Sequence, residues 1–158
     1  MSKATQTVKA KQPRDLVLCC EACSMIIHER VLHVLYETTL PPELVRIASC
    51  YEGFIPDRVG LNFPWVGETY DYVIVYPKKD PYRVREHEER HARFFMDKSF
   101  HDKVMDKWNR LTDFEQRKIE RYYASLGYPL HVIIDEWQAD NTFLTQPVGC
   151  RKKRTCKP

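Results

Sequence analysis

Tyr70-Asp-Tyr-Val-Ile-Val-Tyr76 and Leu130-His-Val-Ile-Ile-Asp135 are the two stretches on whose reading the fold turns. Both are too apolar for surface loops, and both are short enough to be buried strands. The long charged segment between them carries helix signals at each end. A strand–helix–helix–strand block follows, and with it the expectation of a mostly helical α+β domain with a small β-sheet built from at least these two runs.

Working outward, residues 77–81 hold two prolines that turn the chain into the charged helix. Helix signals run from Tyr82 to Lys107, with a break expected near Lys98–Ser99. Thr112 is followed three residues later by Glu115, the spacing of a capping box, and the helix it starts should reach Leu126 with Gly127 as its stop. The stretch Trp108–Glu115 resembles the junction before the last helix of HMG boxes, although a capped helix after a tryptophan accounts for the same letters. Upstream, Asp15 is placed to cap a helix through Leu16–Tyr36, apolar nearly all round and therefore central to the core or to an oligomer interface. An early strand at Leu16–Cys20 and a shorter helix is the competing assignment. A short helix over Pro42–Tyr51 follows, and residues 53–69 read as an ordered loop with aromatic anchors. Three segments result: a basic arm at 1–14, a single domain at 15–147 and a basic tail at 148–158.

The 158 residues are 43% hydrophobic and 30% charged, a globular composition, and their net charge is +3. That charge is segregated. Four basic residues lie within 1–14 and five within 148–158, with no acid in either segment. Setting these nine apart from the 25 basic residues leaves 16 against 22 acidic ones, a balance of −6 for the body. No run approaches a membrane span and no secretory signal is evident, so an intracellular protein of the nucleus or cytoplasm is expected. Its six cysteines are then free thiols or metal ligands before they are disulfides.

Three constellations carry chemistry. His87-Glu-Glu-Arg-His91 has the form HExxH: histidines four apart share a helix face and can bind zinc, with Glu88 as base toward a bound water. His101, Glu115 or Glu120 would have to complete such a site. Against it, the run Arg85-Glu-His-Glu-Glu-Arg-His-Ala-Arg93 has the composition of a solvated helix face held by ion pairs. Cys20, Cys23, His28 and His33 have the spacing of a zinc knuckle whose last cysteine is a histidine, two thiolates and two imidazoles being a sound tetrahedral set. Buried cysteines in an apolar helix explain the same residues. A variant joins Cys20 and Cys23 to Cys150 and Cys156.

Arg151, Lys152, Lys153, Arg154 and Lys157 form a cationic cluster that attracts polyanions by counterion release and has the form of a nuclear-localisation patch. The leading expectation is therefore a non-enzymatic binding or assembly protein whose basic ends engage nucleic acid or an acidic protein surface. Two alternatives stand beside it: a zinc metallopeptidase using His87, Glu88 and His91, and a structural homo-oligomer subunit built through Leu16–Tyr36.

Overall fold

The computed structural model describes residues 24–28, 30–51, 54–56, 59–65, 70–80 and 82–141, in two compact units, the first ending at His101 and the second beginning at Asp102. The fold is α+β, with more residues in helix than in strand. No helix among the described residues is long and apolar enough to cross a membrane.

The first unit is organised on a five-stranded sheet. Its strands are β1 (Ser24–His28), β2 (Val31–Tyr36), β3 (Ile55–Pro56), β4 (Leu61–Pro64) and β5 (Tyr72–Pro77), in spatial order β1-β2-β5-β4-β3. β2 runs parallel to β5, and the remaining pairs are antiparallel. β5 is the expected strand, and it lies in the middle of the sheet with Val73, Ile74 and Val75 all at 0% exposure. A strand covered on both faces needs no polar alternation, which is why its sequence is one continuous apolar run. One sheet face presents Leu32, Val34, Leu61, Phe63, Val73 and Val75 to Leu44 and Ala48 of α1 (Pro42–Ala48). The other presents Tyr72, Ile74 and Tyr76 to Val84 and Ala92 of α2 (Val84–Met96).

Two expectations fail in this unit. Val31–Tyr36 and the described part of the chain before it are strands of a hairpin, not one helix. The turn has no glycine or asparagine to announce it. Arg30 takes up a left-handed φ of 68° there, and its guanidinium grips Asp71 with two hydrogen bonds of 2.6 Å. The backbone N–H of Asp71 donates in turn to the Arg30 carbonyl at 2.9 Å, so the start of β5 fixes the turn. Residues 53–69, read as a loop, contribute β3 and β4.

The charged helix breaks as expected, at Asp97, between α2 and α3 (Lys98–Asn109). Asp80 caps α2 from outside, its carboxylate accepting the backbone N–H groups of Val84 and Arg85, each at 2.7 Å. Asp97 does the same for α3 through the N–H of Phe100 at 3.0 Å. That bond, with help from Arg93, holds the Asp97 carboxyl below the usual range.

In the second unit α4 (Asp113–Ser125) begins with the expected capping box: Glu115 N–H donates to the Thr112 hydroxyl, and Thr112 N–H donates to the Glu115 carboxylate. Gly127 follows with φ at +95°, the left-handed stop that a glycine supplies without steric cost. The expected strand Leu130–Asp135 is not formed. Leu130–Val132 is a 3₁₀ turn that runs into α5 (Ile133–Asp140). Val132, Ile133, Glu136 and Trp137 are buried together at helical spacing, and six letters were too few to separate that period from a buried strand. Trp108 and Trp137 meet edge to face at 5.3 Å, and the Tyr123 hydroxyl donates to the Asp140 carboxylate at 2.7 Å.

Candidate metal and acid–base site

The HEERH run lies in α2, where a helix expected to be a solvated face turns out to have two unlike sides. Successive α2 residues are rotated by the helical period, so positions 84, 88, 91 and 92 share one stripe. All four are buried: Val84 at 5%, Glu88 at 0%, His91 at 0% and Ala92 at 3% exposure. His87, three residues after Val84, sits half-buried at the stripe's edge. The remaining charges pair among themselves, Arg85 with Glu89 at 2.8 Å and Arg90, its side chain only 12% exposed, with Glu86 at 3.7 Å, while Arg83 also meets Glu86. The composition is that of a solvated helix. The arrangement is not, because the residues that could do chemistry are the ones turned in.

His87 and His91 bring their Nε2 atoms to 3.0 Å of each other, with the rings edge to face at 4.7 Å between centroids. Two imidazole nitrogens converge in this way for one of two reasons. They share a proton, one as donor and the other as acceptor, or they share a cation, with both lone pairs pointing at it. The 3.0 Å spacing is that of an ordinary hydrogen bond, and it also admits the second reading. With metal–nitrogen bonds of about 2.0–2.1 Å, two nitrogens this far apart subtend roughly 90–100° at a common zinc ion, within the range between tetrahedral and five-coordinate geometry. Histidine pairs of this kind supply part of a catalytic set, which takes three protein ligands and leaves a position for water.

Glu88 has a seat of its own. One carboxylate oxygen, Oε2, accepts a hydrogen bond from Asn62 Nδ2 at 2.7 Å. Asn62, 1% exposed, is held from behind by the Tyr72 hydroxyl, which donates to Asn62 Oδ1 at 2.7 Å. The alternation of β4 explains why an asparagine is here. Leu61 and Phe63 point to the α1 side, so Asn62 points to α2 and needs a polar partner there. Gly60 completes the seat: a Cβ on that residue would fall 1.9 Å from Glu88 Oε1 and 2.7 Å from its Cδ.

Of the other sequence-derived candidates the structure describes only some. His33 lies in β2, 8% exposed, its Nδ1 at 3.3 Å from the Tyr76 hydroxyl. In the hairpin register His33 stands opposite Ile26 and His28 opposite Val31. Cys20, Cys23, Cys150 and Cys156 lie outside the described residues, as do Arg151, Lys152, Lys153, Arg154 and Lys157. Glu115 is committed to the α4 cap, and His101 stacks against Phe94 at 4.6 Å. Glu120 is half-buried on α4. Gly60, Asn62 and Tyr72 were not singled out from sequence. The available signal was an asparagine flanked by leucine and phenylalanine, but Gly53, Pro56, Gly60, Pro64 and Gly67 around it gave the segment the look of a loop, and that reading removed the alternation that gives the pattern meaning.

Comparison with protein-family models, with curated proteins and with solved structures returns no match.

Proposed function

We propose that the protein is a metal-dependent hydrolase of the zinc-peptidase kind, with His87 and His91 as ligands and Glu88 as the base toward water. The observation that carries this reading is the inward turn of HEERH: two ring nitrogens converge at 3.0 Å beside a helix position whose carboxylate is fully buried. A buried carboxylate is costly and is kept where it is bonded and used. A bound divalent ion would supply Lewis acidity and a water acidic enough to be activated near neutral pH. The protein's own part is to hold both imidazoles with their Nε2 atoms together, to keep Glu88 fixed against β4, and to take up the proton that water loses.

The test is metal content after purification without added zinc. One zinc per chain is expected, lost on treatment with a chelator and lost in His87→Ala and in His91→Ala. Glu88→Gln should keep the metal and lose hydrolysis of a labelled casein. Protein that carries no zinc and binds none on addition refutes the proposal. The third ligand is to be sought by the same measurement on His101→Ala, since His101 lies in the same unit as the histidine pair.

A second reading rests on the charge segregation alone. We propose that the nine terminal cations attach the protein to a polyanion, nucleic acid or an acidic protein surface, independently of the α2 site.

A further inference from the structure

We infer that Asn62 is a positioning residue for Glu88, with Tyr72 orienting Asn62 and Gly60 making the room; this rests on the hydrolase reading of α2. The argument begins with the amide. A tyrosine hydroxyl hydrogen needs an acceptor, and the Asn62 atom it meets at 2.7 Å is Oδ1. That contact decides which way the amide faces, since the opposite orientation would set an amide oxygen against a carboxylate oxygen. Nδ2 is thereby turned to Glu88, and it donates at 2.7 Å, the length of a charge-assisted bond.

All three members of the relay are buried: Tyr72 at 2%, Asn62 at 1% and Glu88 at 0% exposure. Two of them stand on adjacent strands in the middle of the unit. Asn62 pairs with Ile74 and Pro64 with Tyr72, so the tyrosine reaches Asn62 diagonally along one sheet face. The Tyr72 ring is itself packed, 5.2 Å from that of Phe95 on α2. A carboxylate fixed through two bonds to a sheet does not have to be ordered at the moment of reaction, and a site built on rigid elements holds its geometry more closely than one built on loops. The side opposite the relay is shaped by Gly60. That residue leaves the volume in which Oε1 lies, and any larger residue there would push the carboxylate out of its position.

The experiment uses the full chain loaded with cobalt(II), whose visible ligand-field spectrum reports the groups around the ion. Three variants alter the relay without touching a histidine. Asn62→Asp keeps an acceptor for Tyr72 and sets a second carboxyl group against Glu88 in place of the amide donor, so that the two groups repel or share one proton and Glu88 loses its parent setting either way. Asn62→Leu removes both acceptor and donor, and Tyr72→Phe removes only the orienting bond. Glu88→Gln serves as the reference for a lost carboxylate. Each relay variant should bind one cobalt per chain. The spectra of Asn62→Asp and Asn62→Leu should move from that of the parent toward that of Glu88→Gln, with Tyr72→Phe between. Turnover of fluorescein-labelled casein should fall roughly 10- to 100-fold in kcat with KM little changed, the size expected when a catalytic group is misplaced by about 1 Å. Asn62→Asp, closest in shape, keeps the test open should Asn62→Leu fail to fold. Asn62 variants whose spectra superimpose on the parent's, while Glu88→Gln differs, overturn the positioning role and leave the metal reading standing. Absence of cobalt binding by the parent overturns the metal reading itself, and the inference with it.

Discussion

Replacing Gly60 by alanine adds one methyl group, and the structure says what that methyl meets. It would lie 1.9 Å from Glu88 Oε1, 2.7 Å from Glu88 Cδ and 2.8 Å from Val84 Cγ1. Backbone conformation is not the obstacle, since Gly60 does not adopt the left-handed φ that Gly127 does. Space is. The far end of a glutamate usually swings aside at little cost, but this one is fully buried and bonded to Asn62. Two costs then add. Overpacking a filled interior costs ~1–3 kcal/mol, and giving up a buried hydrogen bond to a charged acceptor costs ~1.5–3 kcal/mol. Gly60→Ala should therefore destabilise the protein by about 3–5 kcal/mol, a large share of the stability of an ordinary domain.

The assay is urea unfolding followed by far-ultraviolet circular dichroism, comparing midpoints at unchanged slope. A double-mutant cycle with Glu88→Ala assigns the cause. Removing the carboxylate empties the volume the methyl needs, so the double variant should be more stable than the two single losses predict, by roughly 1–3 kcal/mol. Val84 stays in the way, and for that reason the rescue is partial. A Gly60→Ala protein within about 0.5 kcal/mol of the parent, or a cycle that closes additively, refutes the placement of Glu88 against β4.

Other perturbations test separate parts of the molecule. Leu32→Ala, at 0% exposure in β2, should cost ~2–5 kcal/mol in the same unfolding assay. Thr112→Ala removes the cap of α4 and should cost ~0.5–2 kcal/mol by thermal unfolding at fixed protein concentration. The Thr112 backbone N–H and hydroxyl hold the Glu115 carboxyl below its usual 4.5. A lowered value means that the cap's contribution is full above 4.5 and is lost as pH falls through the lower folded value. Parent and Glu115→Gln should accordingly converge in stability on acidification, and a gap that widens would contradict the cap. Deleting residues 151–158 should weaken binding to RNA and duplex DNA alike and flatten its dependence on salt, and titrations at several salt concentrations that match the intact chain's would dismiss the tail.

The legible parts of the chain were those where one local signal suffices. Tyr72–Pro77 is a strand because β-branched and aromatic residues follow one another without a break, and α4 starts where Thr112 and Glu115 stand three apart. Val31–Tyr36 failed the same treatment. With Leu32, Val34 and Tyr36 buried on one sheet face and His33 on the other, the strand is covered on both sides and shows no alternation. The turn that should have separated it from β1 is made by Arg30, whose unfavourable φ is held by Asp71, 41 residues away in sequence. No local rule reaches that far. Leu130–Asp135 failed for a different reason, since helix and buried strand diverge only when the window extends to Glu136, Trp137 and Ala139.

The α2 site shows where composition and position part. Counted as letters, the run from Arg85 to Arg93 is a charged surface. Placed on a helix beginning at Val84, the same letters put Glu88 and His91 on the stripe that also holds Val84 and Ala92, and leave Arg85 outside to pair with Glu89 while Arg90 lies partly covered against Glu86. A polar residue on an apolar stripe calls for a partner on the surface it packs against. That partner is also a residue out of pattern, an asparagine between Leu61 and Phe63. The two anomalies have different periods, 3.6 on the helix and 2 on the strand, so neither predicts the other from sequence. They explain each other once β4 and α2 are packed face to face. A chain that only needed a filled core would have placed apolar residues at both positions. Keeping a carboxylate and an amide there, on the helix that also carries two converging imidazoles, is what directs attention to chemistry.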